Sequence, residues 1–334
     1  MLSSLKQPKF RAKQLFEWLH LHQAISYDQM SNLPKSLRSA LEERHPLYSP
    51  EIADLQVSRD GTRKFVFTLE DGNYVETVGM PSFNPGDDSG RLSVCFSTQV
   101  GCPMACEFCA TGKEGFVRNL AAAEMIDQII AVRNNFDHKV TNLVAMGQGE
   151  PFLNYEELMI ALRYFNDPLG PNIGARHITI STCGLIDGIK QLSQEPEQFT
   201  LAISLHSAIQ EVRNEIMPSM RNQSLSMLRK ALIAYIEATN RRVSLEYLLI
   251  EGVNDGPEDI EALRKFCKGL LVHVNLLPMN SIENSPYNAT DPDVVQKWTE
   301  TLNMYHIETT VRKSRGADIA GACGQLKNSF VSAK

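Results

Sequence analysis

The sequence predicts an α/β fold arranged as an open, partial barrel, and three observations carry that expectation. From Leu92 onward, β-rich runs alternate with helical ones, and such alternation implies a parallel sheet with right-handed crossovers. About six or seven strand–helix units fall short of the eight that close a complete barrel, so a wide mouth is expected. Finally, the first of these strands, in Arg91-Leu-Ser-Val-Cys-Phe-Ser-Thr-Gln, runs into a cysteine-rich loop, placing chemistry-bearing residues at a strand's carboxyl end, where α/β folds bind ligands.

Along the chain, residues from about 10 to 43 show helical spacing, with Leu15, Phe16 and Leu19 on one stripe and Leu33, Leu37 and Leu41 on another. They predict a small helical domain over residues 1–50. Between about 52 and 80 the pattern becomes alternating, and Asp71-Gly72 between two such runs predicts a β-hairpin extension, with its linker, over residues 51–90. The Pro-, Gly-, Ser- and Asp-rich stretch 81–90 reads as loop. The barrel is expected over 91–315, with strands near 92–98, 139–146, 177–183, 199–205, 242–250, 273–279 and 307–312. Helices near 120–136, 155–166, 185–193, 224–240, 257–270 and 291–305 separate them. Residues 316–334 are expected to form a C-terminal loop and tail.

Composition narrows the class. The 334 residues are 43% hydrophobic, enough for an ordinary core. No run approaches the ~18 apolar residues of a membrane span, and the N-terminus lacks a signal-peptide pattern, so a cytoplasmic protein without a membrane partner is expected. Seven cysteines, three of them in one cluster, argue for reduced thiols in metal or redox roles rather than a disulfide framework. A net charge of −6 does not favour nucleic-acid binding. Basic groups are nonetheless clustered at Lys6, Lys9, Arg11 and Lys13, at Arg241 and Arg242, and at Arg312, Lys313 and Arg315; from charge alone they read as solvated faces.

Cys102, Cys106 and Cys109 form a CxxxCxxC run. A closed zinc site wants four ligands and an iron–sulfur cubane normally takes four cysteines, so three suggest a cubane with one iron left open. A zinc knuckle completed by a distant residue competes with this reading. The usual companion of such an open iron is S-adenosylmethionine, and the cofactor pair carries the radical chemistry. Glu150 and Gly149, in Met146-Gly-Gln-Gly-Glu-Pro after the second barrel strand, suit close approach to a ligand and acceptance from an ammonium group. Ser181 and Ser204-Leu205-His206 end two further strands on the same rim. Cys183 and Cys267 read as small buried hydrophobes, whereas glycines on either side of Cys323 suggest an accessible, reactive thiol.

Taken together, these segments resemble the radical S-adenosylmethionine RNA methyltransferases of the RlmN family over nearly the whole chain. The resemblance rests on Phe10-Arg-Ala-Lys-Gln-Leu-Phe-Glu-Trp-Leu, Asn32-Leu-Pro-Lys, Val75-Glu-Thr-Val, Ser97-Thr-Gln-Val-Gly-Cys and Cys109-Ala-Thr-Gly. It continues through Gly149-Glu-Pro, Ile180-Ser-Thr, Ile203-Ser-Leu-His, Gly252-Val-Asn-Asp, His273-Val-Asn-Leu-Leu-Pro and Ala322-Cys-Gly-Gln-Leu. It implies an α/β partial (β/α)6 radical SAM barrel with an N-terminal helical domain. It also implies a 4Fe-4S cluster on Cys102, Cys106 and Cys109, and S-adenosylmethionine contacts from Gly149, Glu150, Ser181, Ser204, Leu205, His206 and Asn280.

By the family's route, two molecules of S-adenosylmethionine are consumed for each methyl group delivered to carbon 2 of an adenosine in 23S rRNA or tRNA. Cys323 would carry the methyl group, Cys95 would release the product by forming a transient disulfide with Cys323, and Glu76 would accept the ring proton. Without the resemblance, Glu76 reads as an exposed strand carboxylate in a salt bridge. A monomer served by an external flavodoxin- or ferredoxin-like electron donor is expected, with RNA held by the N-terminal helices and the barrel mouth and the target base extruded.

Gln148 and Met279 depart from the family pattern, as does the length of the 81–90 loop. Pro151 after Glu150 favours carbon 2 over the carbon-8 chemistry of the related Cfr type. A non-catalytic RNA-binding protein with a metal-stabilised loop would have no use for Cys323.

Overall fold

The computed structural model describes residues 2, 5–47, 50–83, 90–280, 282 and 285–327. Two N-terminal helices, α1 (Phe10–Phe16) and α2 (Lys35–Arg44), bury Leu15, Leu33, Leu37 and Leu41 around Tyr27 and Met30. The apolar stripes thus mark a small core of their own, although Phe16 and Leu19 remain partly exposed. The Tyr164 hydroxyl donates to the Leu19 carbonyl at 2.9 Å and holds this layer against the rest of the chain.

Next come β1 (Glu51–Val57), β2 (Arg63–Thr68), β3 (Tyr74–Ser82) and β4 (Arg91–Cys95), each antiparallel to the strand before it. The expected hairpin at Asp71-Gly72 is present, with Gly72 in the left-handed region (φ +80°) that its turn requires. It is one arm of a meander that continues directly into the barrel sheet. The predicted loop 81–90 begins later than expected, because β3 runs to Ser82; residues 84–89 lie outside the described residues.

The strand expected over 92–98 stops at Cys95. Beyond it the Ser97 hydroxyl donates to the Glu76 carbonyl at 2.6 Å and accepts from the Gln148 amide at 2.9 Å, drawing the chain out of the ladder. There follow β5 (Gln99–Gly101), α3 (Ala110–Glu114) and β6 (Phe116–Asn119), with β5 and β6 forming a separate two-stranded sheet.

The remaining elements alternate: α4 (Ala122–Phe136), β7 (Val140–Ala145), α5 (Tyr155–Asn166), β8 (Ile178–Thr182), α6 (Ile186–Leu192), β9 (Thr200–Ser204), α7 (Gln210–Ile216) and α8 (Leu225–Thr239). They end with β10 (Val243–Leu249), α9 (Pro257–Cys267), β11 (Val272–Pro278), α10 (Pro292–Met304) and β12 (Thr309–Val311). Among the described residues the large sheet runs β1-β2-β3-β4-β7-β8-β9-β10-β11-β12, and every neighbouring pair from β4 to β12 is parallel. Strand order follows chain order and β1 and β12 are opposite edges, so the barrel is open.

Alternation along the strands sorts the two faces. Leu92, Val94, Leu143, Ile178, Ile180, Leu245 and Leu276 are fully buried on one face. Ser93, Asn142, Thr179, Ser244 and Asn275, at the alternate positions, are only half-buried. A closed barrel fills its interior with branched aliphatic side chains; this one keeps polar groups and open space, and the site occupies that space. Among the described residues, no helix is long and apolar enough to cross a membrane.

Candidate active site

The cysteine loop folds back on itself between β5 and β6. The Cys102 amide donates to the Gly115 carbonyl at 2.7 Å, and a Cβ on Gly101 would fall 2.0 Å from that oxygen. Gly112 packs as tightly: its Cβ would lie 2.8 Å from the Cys106 nitrogen. Only glycine at these two positions permits the close backbone approach.

Cys102, Cys106 and Cys109 line a cavity of about 150 Å³ together with Cys183. Burial, reinforced by the neighbouring thiols, pushes Cys102 up to about 12 and Cys109 to about 11. Metal ligation needs thiolates, and Cys102 and Cys109 ionise only when positive charge is supplied. Among the described residues no three His, Cys, Asp or Glu side chains converge closely enough to hold one metal ion. Three thiols on one loop fall short of the four ligands that a closed tetrahedral zinc site takes, whereas a polynuclear iron–sulfur core offers each thiolate its own corner. The donor set therefore fits a cluster.

The same cavity brings together the expected cofactor contacts Gly149, Glu150, Ser181, Ser204, His206 and Asn280. Glu150 is fixed by the amides of Phe152 (3.0 Å to Oε1) and Cys183 (2.7 Å to Oε2). Burial raises its pKa from the ordinary value. Gly147, on the same turn, has space for no side chain, since a Cβ would lie 2.6 Å from the Phe96 carbonyl oxygen. His206 adopts φ +55°; its Nδ1 accepts from the Leu248 amide at 3.1 Å. Burial first, then the charge of Arg213, pushes it down to about 3. The imidazole is therefore neutral and carries its proton on Nε2. Asn280 donates to the Cys323 carbonyl at 3.3 Å. Leu205 is placed otherwise: its side chain is fully buried in the main core and does not line the cavity.

A larger cavity of about 380 Å³ adjoins the first, and Cys95 and Cys323 both line it. Its wall includes Arg91, Arg312, Lys313 and Arg315, so the C-terminal basic cluster faces a cavity, where charge alone suggested a solvated face. Arg312 and Cys323 line both cavities. Glu76 lines neither. It is fully buried on β3, 3.4 Å from the Lys64 ammonium, and its Oε2 accepts from the Lys327 amide at 2.8 Å. Burial outweighs the attraction of Lys64 and raises its carboxyl to about 7. The exposed position expected for Glu76 without the resemblance is corrected accordingly, because the segment at Lys327 and the Lys64 side chain cover its carboxylate; the expected salt bridge is present.

Several site residues escaped sequence reasoning. Cys183, expected to be core filler, lies in the cavity wall beside Cys106, because β8 ends at Thr182 and Glu150 holds the Cys183 amide. Arg213 on α7 is fully buried and donates to the carbonyls of Cys183 (2.7 Å) and Leu205 (3.1 Å) beneath the thiols. Glu246, at an inward position of β10, is also buried. Of these, only Glu246 carried a usable signal, an isolated carboxylate within the apolar run Leu245-Glu-Tyr-Leu-Leu-Ile.

Residues 96–267 match the model of the Radical SAM superfamily, and residues 1–46 match the ribosomal RNA large subunit methyltransferase N-terminal domain. A probable dual-specificity RNA methyltransferase RlmN of Clostridium novyi (strain NT) is 42% identical over 326 residues, covering 97% of this chain and 93% of that protein. The chain belongs to the RlmN family of radical SAM RNA methyltransferases. A similarly named protein of Symbiobacterium thermophilum is 44% identical over 332 residues, 98% of this chain and 88% of its own length. The crystal structure of a radical SAM methyltransferase from Sphaerobacter thermophilus superposes with a TM-score of 0.91 at 41% identity, covering 98% of this chain and 95% of the other. RlmN-family membership implies a 4Fe-4S cluster and S-adenosylmethionine. The partial α/β barrel expected from the sequence is the fold these relatives share.

Proposed function

We propose that this RlmN-family enzyme methylates carbon 2 of adenosine in 23S ribosomal RNA and also in transfer RNA, the activity that the sequence resemblance implies; its relatives are named dual-specificity RNA methyltransferases. One observation supports this reading above the others: Cys95 and Cys323, from distant parts of the chain, line one cavity that adjoins the wall of cysteines. Two thiols so placed suit a methyl carrier and a resolving nucleophile, and a structural cluster would require neither.

In this reading Cys102, Cys106 and Cys109 hold the cluster, while Gly149, Glu150, Ser181, Ser204, His206 and Asn280 hold S-adenosylmethionine; Leu205, packed in the core, only positions its neighbours. When bound, these groups supply the one-electron sulfonium cleavage that starts the radical chemistry. Cys323 carries the methyl carbon to the adenine. Glu76 accepts the proton from the ring, which requires Lys327 to withdraw from its carboxylate. The Cys95 thiolate then attacks the Cys323 sulfur and leaves a disulfide that an external reductant reopens.

Two molecules of S-adenosylmethionine are consumed per methyl group, and a flavodoxin- or ferredoxin-like protein donates the electron. The enzyme works as a cytoplasmic monomer with a helical part (1–50), a strand extension (51–90), the barrel (91–315) and a C-terminal carrier segment (316–334). Pro151, buried directly after Glu150, supports carbon 2. The test is anaerobic cluster reconstitution, followed by assay for 5′-deoxyadenosine and mass analysis of the RNA product. 2-Methyladenosine in rRNA and tRNA is expected; 8-methyladenosine alone would overturn the assignment of position.

A further inference from the structure

Between the two cavities stands Arg312, which the reaction as outlined does not use. It lies just past β12, and its side chain is held from two sides. Its Nη1 is 3.7 Å from the Glu246 carboxylate, itself buried and fixed by the Asn275 amide at 2.8 Å, and 3.4 Å from the Met146 sulfur. Met146 in turn packs against the small cluster that contains Cys95. The guanidinium is thereby anchored beside the thiol pair, with Cys95 and Cys323 in the wall of the same cavity.

We propose that Arg312 is the countercharge for the Cys95 sulfur when that sulfur attacks Cys323, and that Glu246 and Met146 position it there. The inference rests on the resolving role of Cys95 given above. In that step the Cys95 thiolate forms an S–S bond with Cys323 while the bond from the Cys323 sulfur to the substrate methylene breaks. The electron pair passes to the methylene carbon, which takes a proton from solvent to become the methyl group. The sulfurs are oxidised by two electrons and the carbon is reduced by two. The attacking group must be anionic, yet its site opposes a negative charge.

Burial pushes the Cys95 thiol up to about 12, the neighbouring Cys323 raises it further, and of the surrounding charges Arg312 is the one that lowers it. Arg91, Lys313, Arg315 and His177 also line the cavity but are not among the groups that shift Cys95. Among the described residues, and unlike Arg91, Lys313 and Arg315, Arg312 has a buried carboxylate within ion-pair distance, which sets its position before substrate arrives.

The experiment follows site-resolved alkylation of Cys95 by iodoacetamide in the reconstituted full-length protein, by mass spectrometry, from pH 6.5 to 9.5. Losing a countercharge worth one pH unit cuts the thiolate fraction about tenfold. Higher intrinsic nucleophilicity returns roughly threefold of that. Arg312→Gln should therefore alkylate Cys95 at least about threefold more slowly at a given pH, with its rate profile moved to higher pH. Arg312→Lys should recover much of the rate, and Lys313→Gln should match the unaltered protein. Equal rates in Arg312→Gln and the unaltered protein would overturn the proposal, as would an equal loss in Lys313→Gln.

A second arm separates this inference from the reading beneath it. Cys95→Ala should accumulate a covalent RNA–protein adduct at every pH. Arg312→Gln should accumulate one that resolves faster as pH rises. If Cys95→Ala yields no adduct, the resolving role is wrong; if the adduct forms but the Arg312→Gln adduct resolves with unaltered pH dependence, the countercharge alone is wrong.

Discussion

Glu76 links catalysis to stability in a way that can be measured. Its carboxyl is fully buried, and its pKa rises from an ordinary 4.5 to about 7. The folded state therefore binds this proton more tightly than the unfolded chain does. The stability contributed by the protonated carboxyl is fully present below pH 4.5 and is lost as pH rises through 7. At about 1.4 kcal/mol per pH unit, the difference between 4.5 and 7 amounts to about 3 kcal/mol. Glu76→Gln removes the titration while keeping the shape.

Urea unfolding of both proteins at pH 5 and pH 8 isolates the effect, because every other titrating group is common to the two. Relative to the unaltered enzyme, Glu76→Gln should gain about 2.5 kcal/mol on going from pH 5 to pH 8, whatever it loses at both pH values by disrupting the 3.4 Å contact with Lys64. Methylation should be abolished in the variant, and in the unaltered enzyme should rise with pH around 7 if Glu76 accepts the ring proton. A stability difference that does not change with pH would refute the buried, proton-holding carboxyl on which this reasoning depends.

Other outcomes follow from the same geometry. Cys106→Ala should lose bound iron after anaerobic reconstitution, whereas Cys323→Ala should retain it and lose methylation. Gly112→Ala, whose Cβ would lie 2.8 Å from the Cys106 nitrogen, should cost about 1–3 kcal/mol by overpacking and lower the iron content without removing any ligand; undiminished iron would show that the loop tolerates displacement. His206, pushed down to about 3 by burial, should show no imidazole titration by NMR between pH 5 and 8. The stability it contributes as a neutral group is present above about pH 6.5 and lost as pH falls toward 3. Replacing Lys9, Arg11 and Lys13 by alanine should weaken RNA binding and flatten its dependence on log salt by roughly 0.7–0.9 for each phosphate no longer neutralised; unchanged affinity and slope would exclude the N-terminal helices from the RNA surface.

Much of this protein could be read from local pattern. Period-two and helical spacing placed the parallel strands and their helices within a few residues, because alternation reports which face of an element is buried. The interval between Cys102, Cys106 and Cys109 announced a three-thiol loop, since ligands on one short segment are set by spacing alone. The glycines of the Met146–Pro151 turn marked a close backbone approach, whereas the tight contacts at Gly101 and Gly112 emerged only in the folded loop.

Tertiary structure decided what depends on residues far apart in the chain. It brought Cys323 into the cavity of Cys95, set Lys64 against Glu76, turned the Leu205 side chain into the core, and moved Cys183 from the interior to the wall beside Cys106. It also joined Arg312 to the buried Glu246, two charges that the sequence gives no reason to pair, at the boundary of two cavities. Sequence pattern records burial along one element, whereas the environment of a charge depends on every element packed around it. For that reason the chemistry on offer was legible in the sequence, and the electrostatics that govern it emerged only once the strands had assembled around those charges.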